Sequence, residues 1–423
     1  MTGHPTKTFS KRLLSFKSEA LLLLIGIAWI SLLDFVLQIR AQNLFYPDSG
    51  NYLESAQNLY EHAQGHYFRP LLMAAITGIP FLFGGAKEAI FAWSLLVNVS
   101  CWLASGILIF KIAKDFVSSK AAFLWALVYY GCIGSAVVNF HLLAESIFTF
   151  MLLLSVYYLK LYSDGKQFYF LALSLSLLVL SLLVKPASKF LAIGFGLYFI
   201  GTLLRNYRKR AMLMVYASAL AVLAQCAILK KQYGDFTISY IDGVTLHNYL
   251  CSKAVCLENG ETYIQEQNPR ADHLAQLAYT DKKKTAFADF KNQLQNNKKN
   301  LAKAYVSDVF ENTAHGSYAV QDCRNVKQTA YFDFFRTALF EVSKYQNRIL
   351  TLLGFFFGLW YLRAYKRDLF AAAAGFVILY LITVSGVSCG QGDRFHLVMF
   401  PFAILLAAKW IGRFKPRAAR PQR

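Results

Sequence analysis

Residues 20–37 read ALLLLIGIAWISLLDFVL, eighteen positions with a single charge at Asp34. A helix of that length and character matches the hydrocarbon core of a bilayer. Uncharged runs recur at 171–184 and 369–387. The whole chain of 423 residues is 56% hydrophobic and only 16% charged, a balance that soluble proteins of this size seldom have. Disorder, collagen and a disulfide-dense miniprotein are excluded. The basic segment Met1–Lys17 precedes an apolar run too long for a signal peptide and without a small-residue cleavage site, so that run reads as a retained helix. An all-α polytopic membrane protein follows.

Apolar stretches at 19–39, 88–110, 121–139, 143–160, 167–184, 187–204, 211–229, 347–362, 369–387 and 396–412 predict about ten crossings. Lys and Arg collect in one set of short segments, which holds 22 of them against 6 in the opposite set. Cytoplasmic loops retain positive charge, so the richer set, with both termini, is expected inside. The short run 71–84, broken by Gly78 and Pro80, fits an interfacial helix on the outer face, because a crossing there would invert every later loop. The formal charge of +20 is therefore mostly a topology signal, and nucleic-acid binding is not expected.

Three regions result: an N-terminal module at 1–229 with its first outer loop at 40–87, a polar extracytoplasmic insert at 230–346, and helices plus a basic cytoplasmic tail at 347–423. Within the insert, 271–309 reads as amphipathic helix. Cys251, Cys256, Cys323 and Cys389 are expected to face outward, where three pairings are open and Cys251–Cys256 closes the smallest loop.

Few acids remain on the outer face, and an ionisable group at the mouth of a bundle is a functional candidate. The first outer loop runs Phe45-Tyr46-Pro47-Asp48-Ser49-Gly50-Asn51-Tyr52, then a helical pattern to Gly65, then His66-Tyr67-Phe68-Arg69-Pro70-Leu71-Leu72. Asp48 reads either as the N-cap of that short helix or as a carboxylate held at the bundle mouth to take a proton. Arg69, Lys185, Arg394 and His396 are among the few basic groups of the outer core. Glu54 and Glu61 read as ordinary interfacial residues, and the many aromatics as a membrane belt.

The order of these landmarks resembles the GT-C superfamily of polytopic glycosyltransferases, and within it the polyprenyl-phosphate-sugar-dependent branch of protein mannosyltransferases and the lipid A aminoarabinose transferase. The carriers are Asp48 with an aromatic shortly after it, Arg69-Pro70-Leu71-Leu72, His141-Leu142-Leu143-Ala144-Glu145-Ser146 opening a span, Leu183-Val184-Lys185-Pro186, and Asp393-Arg394-Phe395-His396. The resemblance covers 35–205 well and 345–412 loosely. It implies an inner-membrane hexosyl- or pentosyltransferase acting on the periplasmic side, with a lipid-linked donor and an acceptor that is a lipid, a glycan or a protein.

It further implies Asp48 as catalytic base, Arg69, Lys185, Arg394 and His396 on the donor phosphate, and Tyr52, Glu145 and His141 toward substrate. Ser49 stands where many members carry a second acid, so dependence on a divalent metal is expected to be weak. A soluble nucleotide-sugar donor would need a Gly-rich phosphate loop, and the sequence has none. The alternatives are a ligase or polymerase using a lipid-diphosphate glycan and, with less support, a lipid or sugar transporter.

Overall fold

A computed structural model describes residues 6–42, 46–363 and 368–414. Phe45 of the first outer loop, the basic pair Lys366-Arg367 and the basic tail from Lys415 lie outside the described residues, as do residues 1–5. The described residues contain helices and turns and no strand. The first half comprises α1 (Thr6–Leu37), α2 (Pro47–His62), α3 (Leu71–Thr77), α4 (Lys87–Ala113), α5 (Ser119–Tyr130), α6 (Ile133–Val137), α7 (Glu145–Gly165), α8 (Phe168–Ser181), α9 (Lys189–Tyr198) and α10 (Ile200–Arg205). The second comprises α11 (Met212–Tyr233), α12 (Ile241–Thr245), α13 (Ser252–Asn259), α14 (Pro269–Gln276), α15 (Tyr279–Asn296), α16 (Lys298–Ala314), α17 (Tyr318–Gln321), α18 (Phe332–Arg363), α19 (Leu369–Ser385) and α20 (Phe400–Gly412).

The protein is a polytopic membrane protein. Five stretches are long and apolar enough to span a bilayer: Lys17–Leu37, Lys87–Ala113, Glu145–Gly165, Met212–Tyr233 and Gly392–Gly412. A sixth, Ser119–Tyr130 with Ile133–Phe140, bends by 67°. The other expected crossings are shorter or interrupted. α8 stops before Pro186, which lacks the N–H that would continue it and holds Lys185 extended. The run 187–204 divides at Phe199 into α9 and α10. The stretch 347–362 is the second half of α18, which starts within the polar insert.

α7 packs along α8, α18 along α19, and α4 against both α5 and α7. At the α18–α19 crossing a Cβ on Gly375 would lie 2.8 Å from the Gly358 carbonyl, so two glycines set that approach. Ion pairs gather at both ends of the bundle. At one end Lys160 meets Asp115 at 2.7 Å and Asp164 at 2.8 Å, Lys111 meets Glu19 at 3.4 Å, and Lys409 meets Asp368. At the other end lie the starts of α2 and α7, the α8–α9 break and the turn before α20.

The insert folds over that second end. The stretch 271–309 is three helices, α14, α15 and α16, broken at Leu277-Ala278 and at Asn297. A small core of Leu250, Cys251, Ala254, Leu301 and Ala304 holds it together. Asn312 joins it to the bundle by donating to the carbonyls of Ser385 (2.9 Å) and Ser388 (2.7 Å). The expected Cys251–Cys256 bridge is not formed, and both thiols are free. The two residues lie five apart on one continuous helical stretch, which separates their Cα atoms by about 8–9 Å, beyond disulfide reach.

Candidate active site

Five charged side chains from five separate segments alternate in sign along one line. Asp48 Oδ1 accepts from Arg69 Nη2 at 2.7 Å, and Asp48 Oδ2 accepts from Arg394 Nη1 at 2.5 Å. The Nε of Arg394 donates to Glu145 Oε1 at 2.5 Å, and Lys185 Nζ donates to that same oxygen at 2.9 Å. Three cations thus face two carboxylates.

Local chemistry explains each placement. Tyr46, not Asp48, is the N-cap of α2 and makes no side-chain cap; Pro47 takes the first helical position, where its missing N–H is harmless. Asp48 falls in the first turn, favoured by the helix dipole, with its carboxylate directed to the two arginines instead of its own backbone. The helix ends at His62 with Ala63 left-handed, two residues before the expected stop at Gly65. Gly65 instead meets α11, where its N–H donates to Gln232 at 3.0 Å. Glu145 opens α7. Arg394 lies in a tight turn that begins with Gly392 at φ +56°, where a Cβ would come within 2.7 Å of the Gly316 carbonyl.

Aromatic faces carry the cations. Tyr52 lies 4.4 Å from the Arg69 guanidinium, Tyr46 5.1 Å from that of Arg394, and Phe395 4.9 Å from the Lys185 ammonium. Burial pushes Asp48 upward, but the charges and hydrogen bonds of Arg394 and Arg69 outweigh it and hold the carboxyl well below the usual range. Burial pushes the Tyr52 phenol up to about 12, so it stays neutral. Lys185 is pulled below its ordinary value by burial, which the nearby Glu145 opposes.

Asp48, Tyr52, Arg69, Lys185 and Arg394 line one cavity of about 1380 Å³ between the bundle and the insert. From the insert the lining also includes Lys253, Tyr249 and Tyr263, which sequence reasoning did not single out because the insert matched no motif. Leu246, Tyr380, Val384 and Val387 add apolar lining to the same cavity, as does Phe190, which is 64% exposed.

Three sequence candidates lie off the cavity. Glu145 is fully buried behind Arg394 and Lys185, so it orients them and does not reach the cavity. His141 is buried with its ring edge-on to Tyr46 at 5.4 Å, while its carbonyl accepts from Asn98 at 3.1 Å. His396 is fully buried among Thr351 (3.1 Å), Asn347 (3.2 Å) and Ser385 (3.0 Å), where it fixes α20 against α18 and α19. Among the described residues no three His, Cys, Asp or Glu side chains gather as a metal site.

No protein-family model and no curated protein matches this sequence significantly. Among solved structures the chain is similar to ArnT from Cupriavidus metallidurans bound to undecaprenyl phosphate, at 12% identity and a TM-score of 0.42, over 93% of this chain and 77% of that one. It is similar to the apo state of the same ArnT at 11% identity and a TM-score of 0.35, over 92% and 77%.

Proposed function

We propose that this chain is a membrane glycosyltransferase that moves one sugar from a polyprenyl-phosphate donor to an acceptor on the extracytoplasmic side, with inversion. The observation that carries this reading is the alternating charge line Arg69–Asp48–Arg394–Glu145–Lys185, set against a cavity whose lining also includes apolar Leu246, Val384, Val387 and the exposed Phe190. The apolar lining suits an isoprenoid tail, and the three cations suit its phosphate.

In the reaction the acceptor oxygen attacks the anomeric carbon, the bond from that carbon to the phosphate oxygen breaks, and the acceptor proton passes to Asp48. The donor phosphate changes from a monoanion to a dianion as it leaves. Fixed cations that gain attraction in that step lower the barrier. Arg69, Arg394 and Lys185 provide them, and Glu145 holds the last two in register.

The resting geometry also explains how a weak base becomes useful. A carboxylate bound by two guanidiniums is a poor proton acceptor. A phosphate that enters between Arg69 and Arg394 competes for the same donors, so donor binding itself restores the basicity of Asp48. The base is thereby withheld until the leaving group is clamped.

Asp48→Asn keeps the shape and removes the proton acceptor, so transfer falls about 10²-fold to 10⁴-fold in a purified protein that still unfolds cooperatively. Activity within threefold of wild type would remove Asp48 from the chemistry.

A further inference from the structure

The guanidinium of Arg69 is only as well placed as the loop 66–69 that carries it. His66 Nδ1 accepts from two backbone N–H groups, those of Phe68 (3.1 Å) and Arg69 (3.1 Å). The loop carbonyls are held from the other side: that of Phe68 accepts from Ser239 Oγ at 2.8 Å, and that of Tyr67 from the backbone N–H of Tyr240 at 2.9 Å. The His66 ring is almost wholly buried, stacked on Tyr67 at 4.4 Å, with its Nε2 3.3 Å from the carboxylate of Glu54 on α2. With Nδ1 accepting, the ring proton sits on Nε2 and faces that carboxylate.

We infer that His66, oriented by Glu54, is a positioning residue of the site: its neutral Nδ1 fixes the loop that aims Arg69 at Asp48 and at the donor phosphate. This rests on the transferase reading above. Of the groups that fix the loop, His66 alone is of a type that ordinarily titrates near neutrality. The charged groups facing its ring are Glu54 and Arg69, with Tyr67 and Phe68 completing its surroundings. Protonation at Nδ1 removes the shared acceptor and releases both N–H groups. Burial and the charge of Arg69 lower the pKa of His66 below 6.5, and the opposing pull of Glu54 does not reverse this. The imidazole is therefore neutral at pH 7. Asp48 is held well below the carboxylate range, so an acid limb above that range is not its own.

The experiment compares kcat/KM for a polyprenyl-phosphate sugar against pH in the full-length protein, His66→Leu and His66→Asn. An asparagine Oδ1 accepts from the N–H groups two and three residues on, as in an Asx turn, and does not titrate. The expected result is a loss of up to about 100-fold for His66→Leu, the scale of a 1 Å misplacement, seen chiefly as a raised donor KM. His66→Asn is expected within threefold of wild type at pH 7.5 and without the acid limb. Wild-type kcat/KM for His66→Leu, or an unchanged acid limb in His66→Asn, overturns the inference; if His66→Leu does not fold, the acid limb of His66→Asn decides. A wild-type protein inactive on the donor overturns the transferase reading instead, whereas an active one indifferent to both substitutions overturns only the role of His66.

Discussion

Glu145→Gln tests how far the buried charges depend on one another. The native cluster sets three cations against two carboxylates, and Glu145 lies 2.9 Å from Lys185 Nζ and 2.5 Å from Arg394 Nε at zero exposure. At an effective dielectric near 20 the attraction at 2.9 Å is about 6 kcal/mol gross, an upper bound because part of the Lys185 side chain meets the cavity. Removing one partner of such a buried pair typically costs about 3–5 kcal/mol, since the other charge stays buried without compensation. Glu145→Gln is therefore expected to destabilise by that amount and to lower the pKa of Lys185 further. The double variant Glu145→Gln/Lys185→Met removes the orphaned charge and returns the cluster to two cations and one carboxylate. It should recover at least about 2 kcal/mol of the loss, within the range for directly coupled residues. It should not recover transfer, because the phosphate clamp is still short of one cation. Reversible unfolding of the four proteins in lipid nanodiscs gives the cycle. Additivity of the two single effects within about 0.5 kcal/mol would show that the pair is uncoupled and refute the reasoning.

Other consequences are as direct. Arg394→Ala takes one of two cationic partners from each of Asp48 and Glu145 and is expected to abolish transfer; activity near wild type in a purified, folded variant would remove Arg394 from the site. In the insert, burial raises Asp289, but hydrogen bonds from His247 (2.8 Å) and Arg270 (2.5 Å) outweigh it and hold the carboxyl at about 2. A depressed carboxyl adds stability that is present above its unfolded value of 3.8 and lost as pH falls toward 2. Asp289→Asn should therefore cost about 2 kcal/mol at pH 7 and little at pH 2, and an equal cost at both pH values in chemical unfolding would contradict this. For sidedness, single cysteines at 208 and 298 are tested with an impermeant thiol reagent on intact cells. Labelling at 298 and not at 208 is expected; the reverse would invert the topology.

The convergence of Asp48, Arg69, Lys185 and Arg394 was legible because helix ends can be assigned to sides by counting basic residues, and groups sharing a side must share a small area. What Asp48 binds was not legible. A turn acid before an apolar pattern looks like an N-cap, and the competing Arg394 lies 346 positions away. Hydropathy likewise registers His396 as a polar residue at a helix start and is blind to Thr351, Asn347 and Ser385 closing around it. Glu145 was found by its place in the order of landmarks that resembles the GT-C superfamily, yet only packing puts it behind the cations and off the cavity. Apolar windows also miss interruptions, since a run such as 187–204 has the composition of one continuous span and still breaks at Phe199.

The central claim is that a phosphate on an isoprenoid is the leaving group of this site. The most direct measurement reconstitutes the purified protein with envelope membranes that supply acceptor, offers a labelled sugar on polyprenyl phosphate, as a nucleotide sugar, or as a polyprenyl-diphosphate oligosaccharide, and follows both transferred label and released lipid phosphate. The account predicts transfer with equimolar polyprenyl phosphate from the first donor only, and none from any donor with Asp48→Asn. Robust transfer from the nucleotide sugar without a lipid intermediate, or use of the diphosphate oligosaccharide alone, would contradict it.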